Sequence, residues 1–368
     1  MAAAVGSSPV STQTEPVRDT TGLLWWTCGL LTLWQVGAHI DAWYHVHRGF
    51  DIESFLTWPH ALLYGSWAAT GAVLLVYALA NARRGLPRRA WLPPGYSLIL
   101  LGLVLFGLGG AFDSVWHALF GFEVRLETLL SPAHLWLVVA SGLALFGLLR
   151  AAVEHRGQSG GHGYRPTLAD IPLVIGVALL FRLALWSLFY SEPLAADFAA
   201  GGVGIARLGT AQGLALQTDV AQTAGVTGLL LHSVLLALFL VAPLWRLRLP
   251  GGAIAALMLW DGLLIVAVMD MWLYLPTVIG AALAGEGLWA WIWRDGLGGV
   301  NAEPGYWLLA FSVPLVQFGL YFVLMAAFGG GIVWTVHLVV GAPVLAGFYG
   351  LLTGLLVVPP RFLRTAVG

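Results

Sequence analysis

The stretch HIDAWYHVHRGFDIESFLTWPHALLYGSW, residues 39–67, sets a carboxylate and several imidazoles where two apolar runs meet. Asp41 and His45 are four residues apart and share one helical face, and Asp113 and His117 repeat that spacing in AFDSVWHALFGFEVRLETLLSPAHLWL, residues 111–137. In both places another His opens the next apolar run beside a proline, His60 after Pro59 and His134 shortly after Pro132. Proline suits a first helical turn, where a missing N–H costs nothing. Each hairpin is therefore expected to bring one carboxylate and two imidazoles to a common depth. Two His and one carboxylate form a ligand set for copper, iron or zinc. Neutral imidazole and ionised carboxylate also offset part of the cost of burying a dication. A single Asp or His at a helix end is usually a cap or an interfacial residue. Two alternatives stand beside the metal: hydrogen-bonded staples within each hairpin, and a proton or ion path. Repetition of the whole set at equivalent positions favours the metal.

The elements that carry these residues follow from composition. Of 368 residues, 59% are hydrophobic and 10% charged, with mean hydropathy +0.84; this is the composition of an integral membrane protein in a lipid bilayer. A net charge of −1 with no basic stripe excludes nucleic acid as a partner. Cys28, the single cysteine, excludes a disulfide framework and any Cys-rich metal site. Apolar runs long enough to cross about 30 Å of hydrocarbon are expected at 22–41, 60–80, 95–112, 133–150, 169–190, 226–245, 252–274, 305–328 and 332–357. The fold class is thus all-α and polytopic, about nine transmembrane helices in repeated hairpins. Residues 1–20, with no basic n-region, read as a disordered cytoplasmic tail, not a cleaved signal. A metal-binding membrane module covers 21–150, a cytoplasmic loop 151–168, a second membrane module 169–358 and a tail 359–368.

Arginine orients the spans. ARRGLPRR at 82–89, then Arg150, Arg156 and Arg165, then Arg246 and Arg248, mark cytoplasmic loops. Both triads then face the extracytoplasmic side of the inner membrane, as do loops at 42–59, 113–132, 191–225 and 275–304. Arg361 and Arg364 fall on the wrong side of this scheme, so the last span is its weakest element. A degenerate copy of the hairpin is suggested by Asp270 four residues before Tyr274 and by Tyr306 after Pro304. The Trp-rich LWAWIWRDG at 288–296 reads as an interfacial belt.

DAWYH…FLTWPH and DSVWHALFGFEVRLETLLSPAH resemble the two metal-binding hairpins in the C subunit of copper membrane monooxygenases, which oxidise methane, ammonia or short alkanes. That family's hairpins read Asp-x3-His with a Thr-Pro-Ser-His re-entry, and Asn-x3-His with Ala-Pro-x-His. The resemblance covers about residues 20–150 and implies that Asp41, His45 and His60 stand in one copper site and Asp113, His117 and His134 in another. Glu123 and Glu127 have counterparts in kind. Asp113 departs from the family's Asn and adds a negative charge. Fourteen residues separate His45 from His60 and sixteen separate His117 from His134, one or two more than the family shows. No domain like the family's B subunit is evident, so partner subunits or a homo-oligomer are implied.

Other ionisable residues extend the picture. His47 is a candidate outer-shell or entry ligand, with a solvated loop residue as the plainer reading. Arg182, His232, Asp261, Asp270 and His337 fall in apolar runs, where a charge needs a partner. Arg182 is expected to pair with Asp261 or Asp270. Four functions are expected of such a chain, among them metal binding or assembly without turnover. One is copper-dependent oxidation of a small apolar or amine substrate with O2. Another is transport, with copper or another divalent metal handed from the triads toward Asp270, Asp261 and His232. The last is a structural role for Asp–His hairpins.

Overall fold

The computed structural model describes residues 20–48, 57–121, 127–159, 163–196, 198–199, 219–294 and 302–361. Ten long helices run through them: α1 (Thr21–Arg48), α2 (Trp58–Arg83), α3 (Tyr96–Phe120), α4 (Pro132–Ser159), α5 (Ile171–Trp186), α6 (Asp219–Leu247), α7 (Ala253–Met269), α8 (Leu275–Arg294), α9 (Glu303–Phe328) and α10 (Val336–Val357). Eight helices among the described residues are long and apolar enough to cross a membrane, which makes this an all-helical, membrane-embedded chain. Its outside is greasy and its polar groups lie within. Leu75, Val76, Val104, Val139 and Leu352 are exposed, whereas Gln35, His39, Asp113, Arg182, Asp261 and Gln317 are buried. That inversion suits a solvent of lipid tails, in which polar side chains must find partners inside the bundle.

The nine spans read from the sequence differ from the eight qualifying helices in three respects. α1, which dilutes its apolar residues with Gln35, His39 and Asp41, is not among the eight qualifying helices. The run at 252–274 ends as a 17-residue helix at Met269, because Asp270 takes a left-handed conformation with φ 54°. Residues 275–294, read with 295–304 as an outer loop from the layout of spans and arginines, instead form α8, part of a qualifying helix. The glycines of α8 serve close packing: a Cβ at Gly280 would stand 2.5 Å from Leu320 Cδ1, and one at Gly285 2.9 Å from Ile254 Cγ2. Glu286 of α8 accepts the backbone N–H groups of Gly252 and Ala255, both at 3.0 Å, and so caps the start of α7. Of the tryptophans at 288–296, Trp289 is fully buried against Trp293 and Tyr306, a core position, whereas Trp291 is exposed. The degenerate hairpin copy does not form: the 20 residues of α8 separate the end of the bundle that holds Asp270 from the end that holds Tyr306.

Opposite ends of the bundle have opposite chemistry. At one end Arg156 is clamped to Asp170 at 2.6 Å, to the Arg248 carbonyl at 2.9 Å and to the Leu247 carbonyl. α1 packs on α5 and α7 as well as on α2, and one hydrophobic core runs from Leu24 to Ala346.

Two close helix contacts position the triads. A Cβ at Gly102 of α3 would stand 2.5 Å from Ala144 N and 2.7 Å from Ala140 O on α4. Only backbone-to-backbone packing fits there, as small residues permit in membrane helices. Gly37 of α1, one turn before Asp41, similarly lets the α2 backbone approach at Leu63, 3.0 Å from where its Cβ would be.

Candidate metal centres

α1 and α2 form the first hairpin, and one turn of each supplies the site. Asp41 Oδ2 lies 3.6 Å from His45 Nε2 and 3.5 Å from His60 Nε2. In the second hairpin, Asp113 Oδ1 lies 3.3 Å from His117 Nε2 and 3.7 Å from His134 Nε2. In each group the three candidate ligand atoms all fall within 4.8 Å of one another. Ligands bound at ~2.1 Å in a tetrahedral set are about 3.4 Å apart, so both groups have the dimensions of a coordination shell. Asp41 Oδ1 and Asp113 Oδ1 are buried and make no hydrogen bond. A buried carboxylate oxygen left this way costs free energy unless a cation or proton faces it. The residues present therefore fit a bound metal ion.

The imidazoles that open α2 and α4 are oriented by the same device. Thr57 and Ser131 sit three residues before His60 and His134. Each accepts the backbone N–H of its histidine, at 3.4 Å and 3.3 Å. The same hydroxyls lie 3.2 Å from His60 Nδ1 and 2.8 Å from His134 Nδ1. With Nδ1–H donating to the hydroxyl, Nε2 is left as a lone pair facing the aspartate. The two re-entries differ when aligned on proline but coincide when aligned on the capping hydroxyl: Thr57-x-x-His60 and Ser131-x-x-His134. Sequence reasoning passed over both hydroxyls, although a Ser or Thr ahead of a proline-marked helix start is a capping signal.

One side chain stands between the two groups. The Tyr64 ring lies 5.9 Å from that of His60, and its hydroxyl would meet a Cβ at Gly110 of α3 at 3.0 Å. Tyr64 therefore spans from the first group to the helix of the second.

Other candidates fall elsewhere. His47 turns away from the first triad: its Nε2 lies 2.7 Å from Asp270 Oδ2, and its Nδ1 donates to the Trp43 carbonyl at 2.8 Å. Its role is to join α1 to the end of α7. Asp51, Glu53 and Glu123 lie outside the described residues, as does the side chain of Glu127, which opens the short helix Glu127–Leu130. His337 is exposed in the first turn of α10. Arg182 pairs with Asp261 at 2.6 Å, not with Asp270. It also makes a two-pronged contact with Glu192, at 3.1 and 2.9 Å, which sequence reasoning missed because Glu192 follows the apolar run. His232 stands beside this pair, its Nδ1 3.9 Å from Glu192 Oε1. Asp270 and Asp261 thus serve different partners, one at the bundle surface and one inside it.

Compared with family models, with curated proteins and with solved structures, the chain matches none of them.

Proposed function

We propose that this is a membrane metal-binding protein with two centres, Asp41–His45–His60 and Asp113–His117–His134, and that copper is the metal they take. The observation that carries this reading is the duplicated shell. Three ligand atoms within 4.8 Å recur in two hairpins, each with a hydroxyl holding the second imidazole by its far nitrogen. Among divalent first-row metals copper binds such nitrogen and oxygen sets most tightly; iron and zinc are the alternatives the metal analysis distinguishes. The resemblance to the copper monooxygenase C subunit supports oxidation of a small substrate with O2 as the activity. Tyr64, which reaches from the first group to the helix of the second, supports their acting together. Transport along Asp270, Asp261 and His232 has less support, because Asp270 is held by His47 and Asp261 by Arg182.

Ten crossings account best for the charge pattern. With α1 and α7 counted beside the eight qualifying helices, α8 adds the crossing that brings Arg294 and Arg361 to the side of Arg156 and Arg248. The salt bridge from Arg361 to Glu303 at 3.2 Å agrees with that placement. The arginine-bearing end then faces the cytoplasm and both centres face outward.

Elemental analysis of the purified protein in nanodiscs, beside His60→Ala, His134→Ala and the double variant, tests the metal reading. Copper near two per chain is expected, falling by one in each single variant and to none in the double. No metal after reconstitution, or stoichiometry unchanged in every variant, overturns it.

A further inference from the structure

Away from the triads, the bundle interior holds a second ionisable cluster. Arg182 of α5 is fully buried and contacts two carboxylates, Asp261 of α7 and Glu192. Glu192 belongs to a stretch of turns after α5, and Ser191, Glu192, Leu194, Ala195 and Ala196 are all buried. This non-helical segment packs so closely on α6 that a Cβ at Gly228 would overlap the Ser191 carbonyl. Irregular backbone at such a place in a membrane bundle survives only inside protein or beside a polar cavity, and it commonly carries function.

The charges do not balance. Two carboxylates face one guanidinium, which leaves one uncompensated negative charge in a region of low dielectric. Among the described residues, the groups facing the cluster from each neighbouring element offer no further fixed cation. α6 presents His232, α9 presents Gln317, and α1 presents Gln35 and His39, whose Nδ1 bonds the Gln35 carbonyl at 2.8 Å. His232 and Gln317 are 1% and 2% exposed, and His232 Nδ1 and Gln317 Oε1 have no hydrogen-bond partner. His232 Nε2 lies 3.5 Å from Gln317 Nε2. A proton on His232 would let Nδ1–H turn to Glu192 and Nε2–H be received by Gln317 Oε1 after rotation of the amide. A proton on either carboxylate would cancel the same charge.

We infer that Arg182, Glu192, Asp261 and His232 form a buried proton-binding site, which takes one exchangeable proton and becomes neutral when it does. The site is separate from the metal centres and stands whether or not they bind metal. Its members come from α5, the stretch of turns after it, α6 and α7, so its protonation bears on how those elements pack. In the second half of the chain it supplies a proton-linked step of the kind intramembrane carboxylate–His groups perform.

Infrared difference spectroscopy of the protein in nanodiscs, titrated between about pH 5 and pH 9, tests this against Asp261→Asn, Glu192→Gln and His232→Gln. The expected result is one titrating carboxyl or imidazole signal in the wild type that is lost in one of these variants. Its midpoint should shift by at least about one pH unit in another. Titration of the triad histidines is common to all four proteins and cancels in the comparison. Asp261→Asn keeps an oxygen for Arg182; should it not fold, the His232→Gln comparison decides. Difference spectra that superimpose for the wild type and every folded variant overturn the inference. So does a signal that follows sodium concentration and not pH.

Discussion

The two hairpins carry the same three candidate ligands and the same capping hydroxyl, but they are held in place differently. α1 is keyed to the second half of the chain. Gln35 donates to the Leu179 carbonyl at 2.8 Å and accepts from Trp260 Nε1 at 2.7 Å, His39 packs edge-on to Trp186, and His47 meets Asp270. α3 and α4 rely on each other instead, with the Gly102 and Gly147 positions pressed against the partner backbone. The aspartates differ accordingly: the Asp113 side chain is 9% exposed and that of Asp41 17%. A duplicated motif thus need not have duplicated support. The helix of the first aspartate is tied to the second half of the chain by polar side chains, and that of the second is seated by close backbone packing on α4.

Substitutions can break or sharpen that contrast. The largest effect is expected from Gly102→Leu, which forces a side chain into the α3–α4 backbone contact. Overpacking of this kind costs about 1–3 kcal/mol or more and should remove the second metal equivalent before the first, as thermal unfolding and metal content of the same sample will report. Retention of both equivalents would show that the seam does not set the second centre. Next come the hydroxyls. Thr57→Val and Ser131→Ala should each weaken metal binding roughly 10- to 100-fold, at its own centre alone, in competition with a chelator of known affinity. Acid should act on both centres alike. Imidazole must be neutral to bind, so affinity is expected to fall as pH drops and to recover as it rises. Asp270→Asn should have the smallest effect. The pair is partly exposed and worth about 0.2–1 kcal/mol, so a few-fold loss confined to the first centre is expected. Equal losses at both centres would erase the contrast between the hairpins.

The candidate ligands were legible in the sequence because helical spacing and a proline-marked helix start are local properties. Asp41 with His45, and Asp113 with His117, needed only a helix, and the return of His60 and His134 needed only a hairpin. What could not be read depended on tertiary packing. α8 looks like an outer loop until Leu320 and Ile254 are placed against its glycines. Glu192 looks like an outer-loop acid until the chain turns back to Arg182. His47 looks like a spare ligand until α7 ends beside it. The stop at Met269 is equally silent, because it depends on a left-handed Asp270 that no apolar count reveals.

Thr57 and Ser131 begin a helix and hold an imidazole with the same oxygen. The aim of the ring is then completed by folding alone, before any ion arrives. A cell could insert this chain into its membrane empty and deliver the metal last, and circular dichroism of the empty and filled forms should be indistinguishable.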